Sequence, residues 1–412
     1  MQDSLIPHSK RAVSLAVLVA ALGYFVDIYD LLLFSIVRVS SLKSIGVPDS
    51  ELLSTGSMLI SMQMGGMLVG GILWGILGDK KGRLSVLFGS IIMYSVANIA
   101  NGFVQSVEVY ALLRVIAGIG LAGELGAGVT LVSEIMPKET RGWGTTIIAA
   151  VGLLGAVLAA IIGKDFEWRT CFFIGGAMGF ALLALRIGVY ESGMFEHVKK
   201  QNVSRGNFFK IFASKKNTWK YLRVIGIGMP SWFVIGILIT FSPEFGKAFG
   251  MKELPAAGDA VMYSYIGISI GDIVSGYLTY RFRSRKKGFY LFLIMTTIFV
   301  ISYFAFAPVS LTTFYVICWL LGFGTGFWAM FVTIASEQFG TNIRATVTTT
   351  VPNFVRGSLV LITILFNWLR EPLGLSAGAL VVGALTLAIS FLSLWKMEET
   401  YDKDLHYIEH FH

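Results

Sequence analysis

Apolar runs of about twenty residues, separated by short polar breaks, recur along the whole chain. A helix needs about 20 predominantly apolar residues to cross a hydrocarbon core about 30 Å thick. Twelve runs of that kind can be delimited, near residues 13–37, 56–78, 84–104, 110–134, 143–163, 170–189, 222–243, 259–280, 288–307, 312–335, 346–369 and 376–395. The pattern predicts an all-α membrane protein with twelve transmembrane helices.

The composition supports this interpretation. Of 412 residues, 55% are hydrophobic and 14% are charged, whereas soluble domains average about 25% charged residues. The first run is too long for a signal-peptide core and lacks a small-residue cleavage site, so we expect it to be a retained span. Cys171 and Cys318 lie in separate runs, and the five histidines lie in the termini or a polar loop. This arrangement suggests no disulfide framework, metal site or cofactor.

Lys and Arg concentrate in the loops on one side of the predicted membrane, with basic clusters at 80–81, 215–216 and 281–287. Basic loops mark the cytoplasmic side of a membrane protein. We therefore expect both termini in the cytoplasm and a bacterial inner-membrane location. The formal charge of +8 is then a topology signal, and we expect a monomer in the lipid bilayer with no nucleic-acid partner.

A weak internal repeat divides the chain into halves. The repeated positions are Ser133, Glu134 and Arg141 in the first half and Ser336, Glu337 and Arg344 in the second. We predict an N-terminal six-helix bundle over 1–189, a cytoplasmic linker over 190–221, a C-terminal six-helix bundle over 222–396 and a cytoplasmic tail over 397–412. Repeated halves of this kind place a transporter's site at their interface.

Several motifs resemble those of the major facilitator superfamily. The loop GILGDKKGR, with Gly75, Asp79, Gly82 and Arg83, resembles the family's signature loop. The stretch from Arg114 to Gly120 is similar to its fourth-span motif. YESGMF at 190–195 and EETYDKDL at 398–405 resemble elements of sugar porters, organic-ion transporters and metabolite:proton symporters.

This resemblance implies the two-bundle major facilitator fold and a cytoplasmic gate built from the signature loop and its neighbours Glu134 and Arg141. The stretch Asp27-Ile-Tyr-Asp30 is similar to an element in the first span of aromatic-acid:proton symporters.

Gly118, Gly120 and Gly123 also match the G-x-G-x-x-G pattern of dinucleotide-binding loops. That interpretation requires a preceding strand and a surrounding βαβ unit, and neither is predicted here. Small residues spaced four apart instead allow close packing of membrane helices. We therefore predict a packed transmembrane helix.

Ionisable groups inside the runs are candidates for function, because each costs about 2.5–3.5 kcal/mol on insertion scales. Asp27 and Glu124 have no obvious counter-charge at their depth, and low dielectric favours the neutral form of a carboxyl. With Asp30, they are our proton-coupling candidates. Asp30 and Arg114 lie at comparable depth, so they could also form a structural pair.

In the second half, Asp272 and Arg356 both lie near mid-membrane and could form a second structural pair. Alternatively, Arg356 could bind an anionic substrate, because a guanidinium matches a carboxylate bidentately. The other substrate-binding candidates are Arg114, Asn353, Tyr24, Trp232 and Trp328. Pro230 can break the helix of run seven, and the glycines thin the helix of run ten, as expected of helices that line a midplane site.

These features favour a secondary active transporter, not an enzyme, that moves a small organic anion or related metabolite by proton-coupled symport. One alternative is a proton-coupled exporter of amphipathic compounds. Run five lacks the proline of the family's antiporter motif, and this disfavours the exporter. Sodium coupling stays open, because Asp27, Asp30 and Asn353 offer hard oxygen ligands.

Overall fold

The computed structural model describes residues 10–81, 83–126, 128, 141–191 and 208–401. Within these ranges, the first half contains six long helices. They are α1 (Lys10–Ser44), α2 (Leu52–Lys81), α3 (Arg83–Asn101), α4 (Val107–Leu121), α5 (Arg141–Asp165) and α6 (Trp168–Glu191).

The second half repeats this plan with more interruptions. After a 3-10 turn over Phe208–Ala213, its helices are α7 (Lys215–Phe233), extended by a π-helical turn over Val234–Ile239, the short α8 (Ser242–Ala248), α9 (Ala257–Phe282), α10 (Arg285–Phe306), α11 (Leu311–Gly324), α12 (Trp328–Glu337), α13 (Thr341–Leu373) and α14 (Leu375–Trp395).

Within the described residues, each predicted apolar run falls mainly on helix, and no strand is present. Ten helical segments in the described ranges are long and apolar enough to cross a membrane. The remaining two runs, 84–104 and 259–280, fall on α3 and α9. The all-α prediction is therefore confirmed. The predicted linker 190–221 needs a correction, because α7 already begins at Lys215; its residues 192–207, like tail residues 402–412, lie outside the described ranges.

The repeated glycines bring helix backbones into direct contact within each half. A Cβ at Gly118 of α4 would overlap the Gln63 carbonyl of α2, and a Cβ at Gly322 of α11 would overlap the Ser264 carbonyl of α9. Small residues at such crossings are typical of packing in lipid. The glycine pattern in run four thus belongs to a membrane helix, as predicted.

The two halves meet along α2 with α13 and α5 with α9. We call the end of the molecule that holds the α9–α10 turn at Arg283 and the end of α2 the basic end. The opposite end holds the end of α1 and the start of α2. Gly75, near the end of α2, lies against Thr350 of α13, so the two halves share this orientation.

Candidate functional site: a charged cavity between the halves

A cavity lies between the two halves, roughly midway between the two ends. The space there that is not filled by atoms, counted together with its openings, is about 330 Å³. The lining residues are Tyr24, Ile28 and Leu153 from the first half and Ser231, Trp232, Ile235, Tyr265, Ile268, Thr325, Trp328 and Arg356 from the second. Of the predicted substrate-binding residues, Tyr24, Trp232, Trp328 and Arg356 are brought together here.

Two irregular helices border this cavity. In span ten, the chain leaves the helix after Gly324 and re-enters it at Trp328, within the glycine run that was expected only to thin this helix. In span seven, the α-helix continues through Pro230 to Phe233 and changes to a π-helical turn at Val234. The interruption therefore follows Pro230 by one turn instead of falling at the proline itself.

Arg356 faces Asp27 across the interface between the halves. Arg356 Nη1 lies 3.8 Å from Asp27 Oδ2, and both side chains are almost completely buried. The Arg356 guanidinium also lies over the Trp328 ring, 5.7 Å from its centroid. Asp27 therefore has a counter-charge, contrary to the prediction, and it is Asp27 rather than Asp272 that Arg356 meets. Sequence alone could not show this, because the contact joins helices from different halves.

Several polar atoms around the cavity have no hydrogen-bond partner among the described residues. They include both carboxylate oxygens of Asp27, Nε and Nη1 of Arg356, the Ser231 hydroxyl and the indole N–H groups of Trp232 and Trp328. Buried polar groups are normally hydrogen-bonded, and leaving one unsatisfied costs about 1–3 kcal/mol. These donors and acceptors are therefore available to a polar solute. Tyr265, Ser231 and Thr325 were missed from sequence, since nothing in the pattern distinguishes them from other polar residues in the spans.

Asp272 has a different partner from the one predicted. Its Oδ1 accepts a hydrogen bond of 3.0 Å from the backbone N–H of Ala329, at the start of α12. The carboxylate thus caps the half-helix that begins after the break in span ten. Because anionic groups are favoured at helix N-termini, this contact accounts for a buried Asp272 without a cation.

Arg114 and Asp30 lie inside the first half instead of in the cavity lining. Arg114 donates long hydrogen bonds to Gln63 Oε1 (3.5 Å) and Asn98 Oδ1 (3.4 Å). Its guanidinium lies 5.0 Å from the centroid of the Phe172 ring. Asp30 is within electrostatic range of Arg114, but its oxygens have no hydrogen-bond partner in the described part of the chain. The predicted direct pair is therefore not formed, although the two charges share one buried polar cluster.

Glu124 is paired with Arg186 of α6, so the prediction that it lacks a counter-charge is wrong. Arg186 Nη1 donates to Glu124 Oε2 at 3.1 Å, and Nη2 donates to Oε1. The pair packs against Gly23 of α1, where a Cβ would overlap both side chains. An arginine inside run six was a visible signal, which the sequence interpretation did not use.

We expect Glu124→Ala to destabilise the protein strongly, because removing one partner of a buried ion pair typically costs about 3–5 kcal/mol. Glu124→Ala with Arg186→Ala should recover part of this loss, since no unpaired charge then stays buried. Thermal unfolding in detergent measures both, with the exposed Glu108→Ala on α4 as a matched control. Equal melting temperatures for Glu124→Ala and the control would contradict the pairing.

Asn353 does not line the cavity either. It donates to the carbonyl oxygens of Ala122 (2.8 Å) and Thr349 (3.1 Å), and so joins α13 to the end of α4. On the other side of the cavity, Arg38 Nη2 lies 2.6 Å from Glu244 Oε1, with the arginine fully buried. The two halves therefore touch on both sides of the cavity, at Asn353 toward the basic end and at the Arg38–Glu244 ion pair toward the opposite end.

The predicted gate motif is only partly described. Gly82 and Glu134 lie outside the described residues, and Asp79, Arg83 and Arg141 are described as helix backbone without their side chains. Gly75 does lie at the interface, since a Cβ there would be 3.6 Å from Thr350 Cγ2.

The second half has a well-described cluster at the same end. Arg285 Nη2 lies 2.9 Å from Glu337 Oε1. Glu399, in the predicted tail, accepts hydrogen bonds from the Ser284 hydroxyl and from the backbone N–H groups of Arg285 and Lys286. Burial alone would raise the pKa of Glu399, but these hydrogen bonds outweigh it and lower the pKa below the ordinary value. The carboxylate therefore ties the end of α14 to the start of α10.

Comparisons with known proteins agree with this architecture. The family model described as the Major Facilitator Superfamily matches residues 13–363. A probable 4-methylmuconolactone transporter of Cupriavidus pinatubonensis is 25% identical over 79% of this chain and 76% of its own length. A gentisate transporter of Corynebacterium glutamicum is 25% identical over 94% of this chain and 88% of its own length.

The crystal structure of a D-xylose–proton symporter has the same fold, with a TM-score of 0.69 at 15% identity over 95% of this chain and 99% of that one. The family match extends from the first span into the eleventh, through both halves and the cavity between them. The chain belongs to the major facilitator superfamily, and the prediction of a membrane transporter is confirmed.

Proposed function

We propose that this chain is a proton-coupled symporter of a small aromatic or unsaturated carboxylate. The observation that carries the proposal is the contact of the cavity residue Arg356 with the buried Asp27, at 3.8 Å between Nη1 and Oδ2. The two relatives named as transporters of gentisate and 4-methylmuconolactone support a small, unsaturated organic solute.

The cavity offers one fixed cation and several aromatic walls. Arg356 presents a planar fork that matches a carboxylate, and Trp328, on which it lies, holds that fork in place. Trp232, Tyr24 and Tyr265 provide flat surfaces against which a ring can pack. Pockets for small molecules typically combine apolar walls with few oriented polar groups, which is the combination found here.

Coupling follows from competition for Arg356. Asp27 is the carboxylate that lies against the guanidinium. A substrate carboxylate that takes its place leaves Asp27 buried without a counter-charge, and a buried, unpaired carboxylate is strongly disfavoured relative to its neutral form. Substrate binding and proton uptake on Asp27 therefore favour each other, which is the requirement for symport.

The substrate class is tested by thermal shift of the purified protein. We expect benzoate or gentisate to raise the melting temperature, because a ligand that binds only the folded state stabilises it. Benzyl alcohol, which has the ring without the carboxylate, should produce no shift, and Arg356→Lys should weaken the response to both acids. An equal thermal shift with benzyl alcohol would overturn the anion proposal. If the shift with benzoate or gentisate required sodium, the coupling ion would be sodium instead of the proton.

The orientation is also a proposal, in which the basic end faces the cytoplasm. Basic residues cluster there on α9 and α10, as the positive-inside rule expects. With a single cysteine at Lys215→Cys in a cysteine-free background, an impermeant maleimide should label only permeabilised cells. A matched cysteine at Lys43, in the last turn of α1 at the opposite end, should be labelled in intact cells. The reverse labelling pattern would refute this topology.

A further inference from the structure

The broken helix of span ten begins beside the cavity with an anion already in place. Trp328, the first residue of α12, lines the cavity. Phe327 at the N-cap position makes no side-chain capping bond. Asp272 supplies that bond from α9, because its Oδ1 accepts the Ala329 N–H at 3.0 Å.

The second oxygen of the Asp272 carboxylate, Oδ2, is buried as well. The residue is 4% exposed, and Oδ2 has no hydrogen-bond partner in the described part of the chain. It lies on the same face of α9 as the cavity residue Ile268, one turn further along. Among the described residues, no cation pairs with this buried carboxylate, which lies between the cavity wall and the positive end of a helix.

Half-helix N-termini bind anionic substrate groups in other transporter folds, because free N–H groups and the helix dipole both favour negative charge. Here that place is taken. We propose that Asp272 acts as a tethered anion that fills the amino end of α12, and that it thereby limits the cavity to substrates with a single carboxylate, bound by Arg356. The substrate-selection part rests on the proposed function, whereas the capping part does not.

The break in span ten packs closely against α9, and this brings the start of α12 within reach of Asp272. A Cβ at Gly326 would lie 2.5 Å from Gly271 Cα, so the chain can approach α9 closely enough to present its N–H groups to Asp272. The Gly324 carbonyl on the other side of the break accepts the Thr296 hydroxyl at 2.8 Å. A side chain therefore bonds the backbone on each side of the interruption: Thr296 at the end of α11 and Asp272 at the start of α12.

The capping role is tested by hydrogen–deuterium exchange of the purified protein without substrate. In Asp272→Ala, amide exchange at residues 328–332 should accelerate by about two- to tenfold, which corresponds to the loss of one hydrogen bond. Added formate should restore the protection by occupying the space of the missing carboxylate. Asp272→Asn retains an acceptor and its volume, so it should exchange like the wild type and should not respond to formate.

Unchanged exchange in Asp272→Ala, or a formate effect of equal size in all three proteins, would overturn the capping role. If Asp272→Ala does not fold, formate present during purification should recover it, and a failure of recovery counts against the proposal. The Asn variant still reports on whether the acceptor or the charge matters.

Selectivity is tested with the same proteins and four probes, namely benzoate, phthalate, isophthalate and terephthalate. We expect wild type to bind benzoate in preference to all three diacids, and Asp272→Ala to gain affinity for at least one diacid by about tenfold or more, as one charge-assisted hydrogen bond allows. No gain for any diacid would overturn the selectivity role. If wild type binds none of the probes while formate still restores α12 protection, the proposed function fails and the capping role of Asp272 stands.

Discussion

Replacing Arg356 by lysine should lower the apparent substrate affinity by about ten- to a hundredfold, while expression and melting temperature should stay near those of the wild type. Lysine keeps the positive charge opposite Asp27 but loses the planar fork that binds a carboxylate bidentately. A hydrogen bond to a charged group is worth about 1.5–3 kcal/mol, which sets this range. Uptake kinetics and thermal shift with benzoate measure the effect. The control is Arg223→Lys on α7. The Arg223 side chain donates a hydrogen bond to the Lys396 carbonyl, away from the cavity.

Alanine variants at the same position separate binding from folding. Arg356→Ala leaves Asp27 buried without a counter-charge and should destabilise the protein. Adding Asp27→Asn should restore stability, because no unpaired charge is then buried, but it should not restore transport. Restored uptake in the double variant would show that the pair is structural. Arg356→Ala with Asp272→Ala should give no such recovery, since Asp272 contacts Ala329.

Asp27→Asn should abolish uphill accumulation and leave exchange of internal for external substrate partly intact. The asparagine cannot carry a proton, so net uptake loses its driving force. Exchange needs only that the loaded cavity open alternately to each side, and it does not require the proton to be released and reloaded. Proteoliposomes with an imposed proton gradient measure accumulation, and counterflow without a gradient measures exchange.

Asp30→Asn is the matched control for this variant, because Asp30 lies on the same helix but belongs to the Arg114 cluster, whereas Asp27 contacts Arg356. Wild-type accumulation by Asp27→Asn would remove Asp27 from the coupling mechanism. Loss of accumulation in Asp30→Asn alone would move that role into the Arg114 cluster of the first half.

Helix positions were predictable because the length of an apolar run in lipid is fixed by the membrane thickness. In the described part of the chain, every run lies mainly on helix, and the helix of run ten is interrupted within its glycine run. The placement of Tyr24, Trp232, Trp328 and Arg356 around one cavity also follows the idea that repeated halves place a site at their interface.

The sequence predicts how deep each charged residue lies in the membrane, but depth alone does not identify its partner. Asp272 and Arg356 lie at similar depth, yet Asp272 points to the start of α12 and Arg356 meets Asp27 of the other half. Glu124 seemed unpaired because its partner, Arg186, lies on a helix that is remote in sequence. The rotation of each helix about its own axis, and which helices are neighbours, depend on packing that one sequence does not reveal.

The glycine crossings within each half have a mechanical consequence. At Gly118 and Gly322, one helix backbone rests directly on another, so these contacts hold no flexible side chain that could yield under load. Each half should therefore move as a rigid body. The rearrangement that opens the cavity to one side or the other should then occur at the interface between the halves. Chemical cross-links within a half should leave transport running, whereas a short cross-link between the halves at either end should stop it.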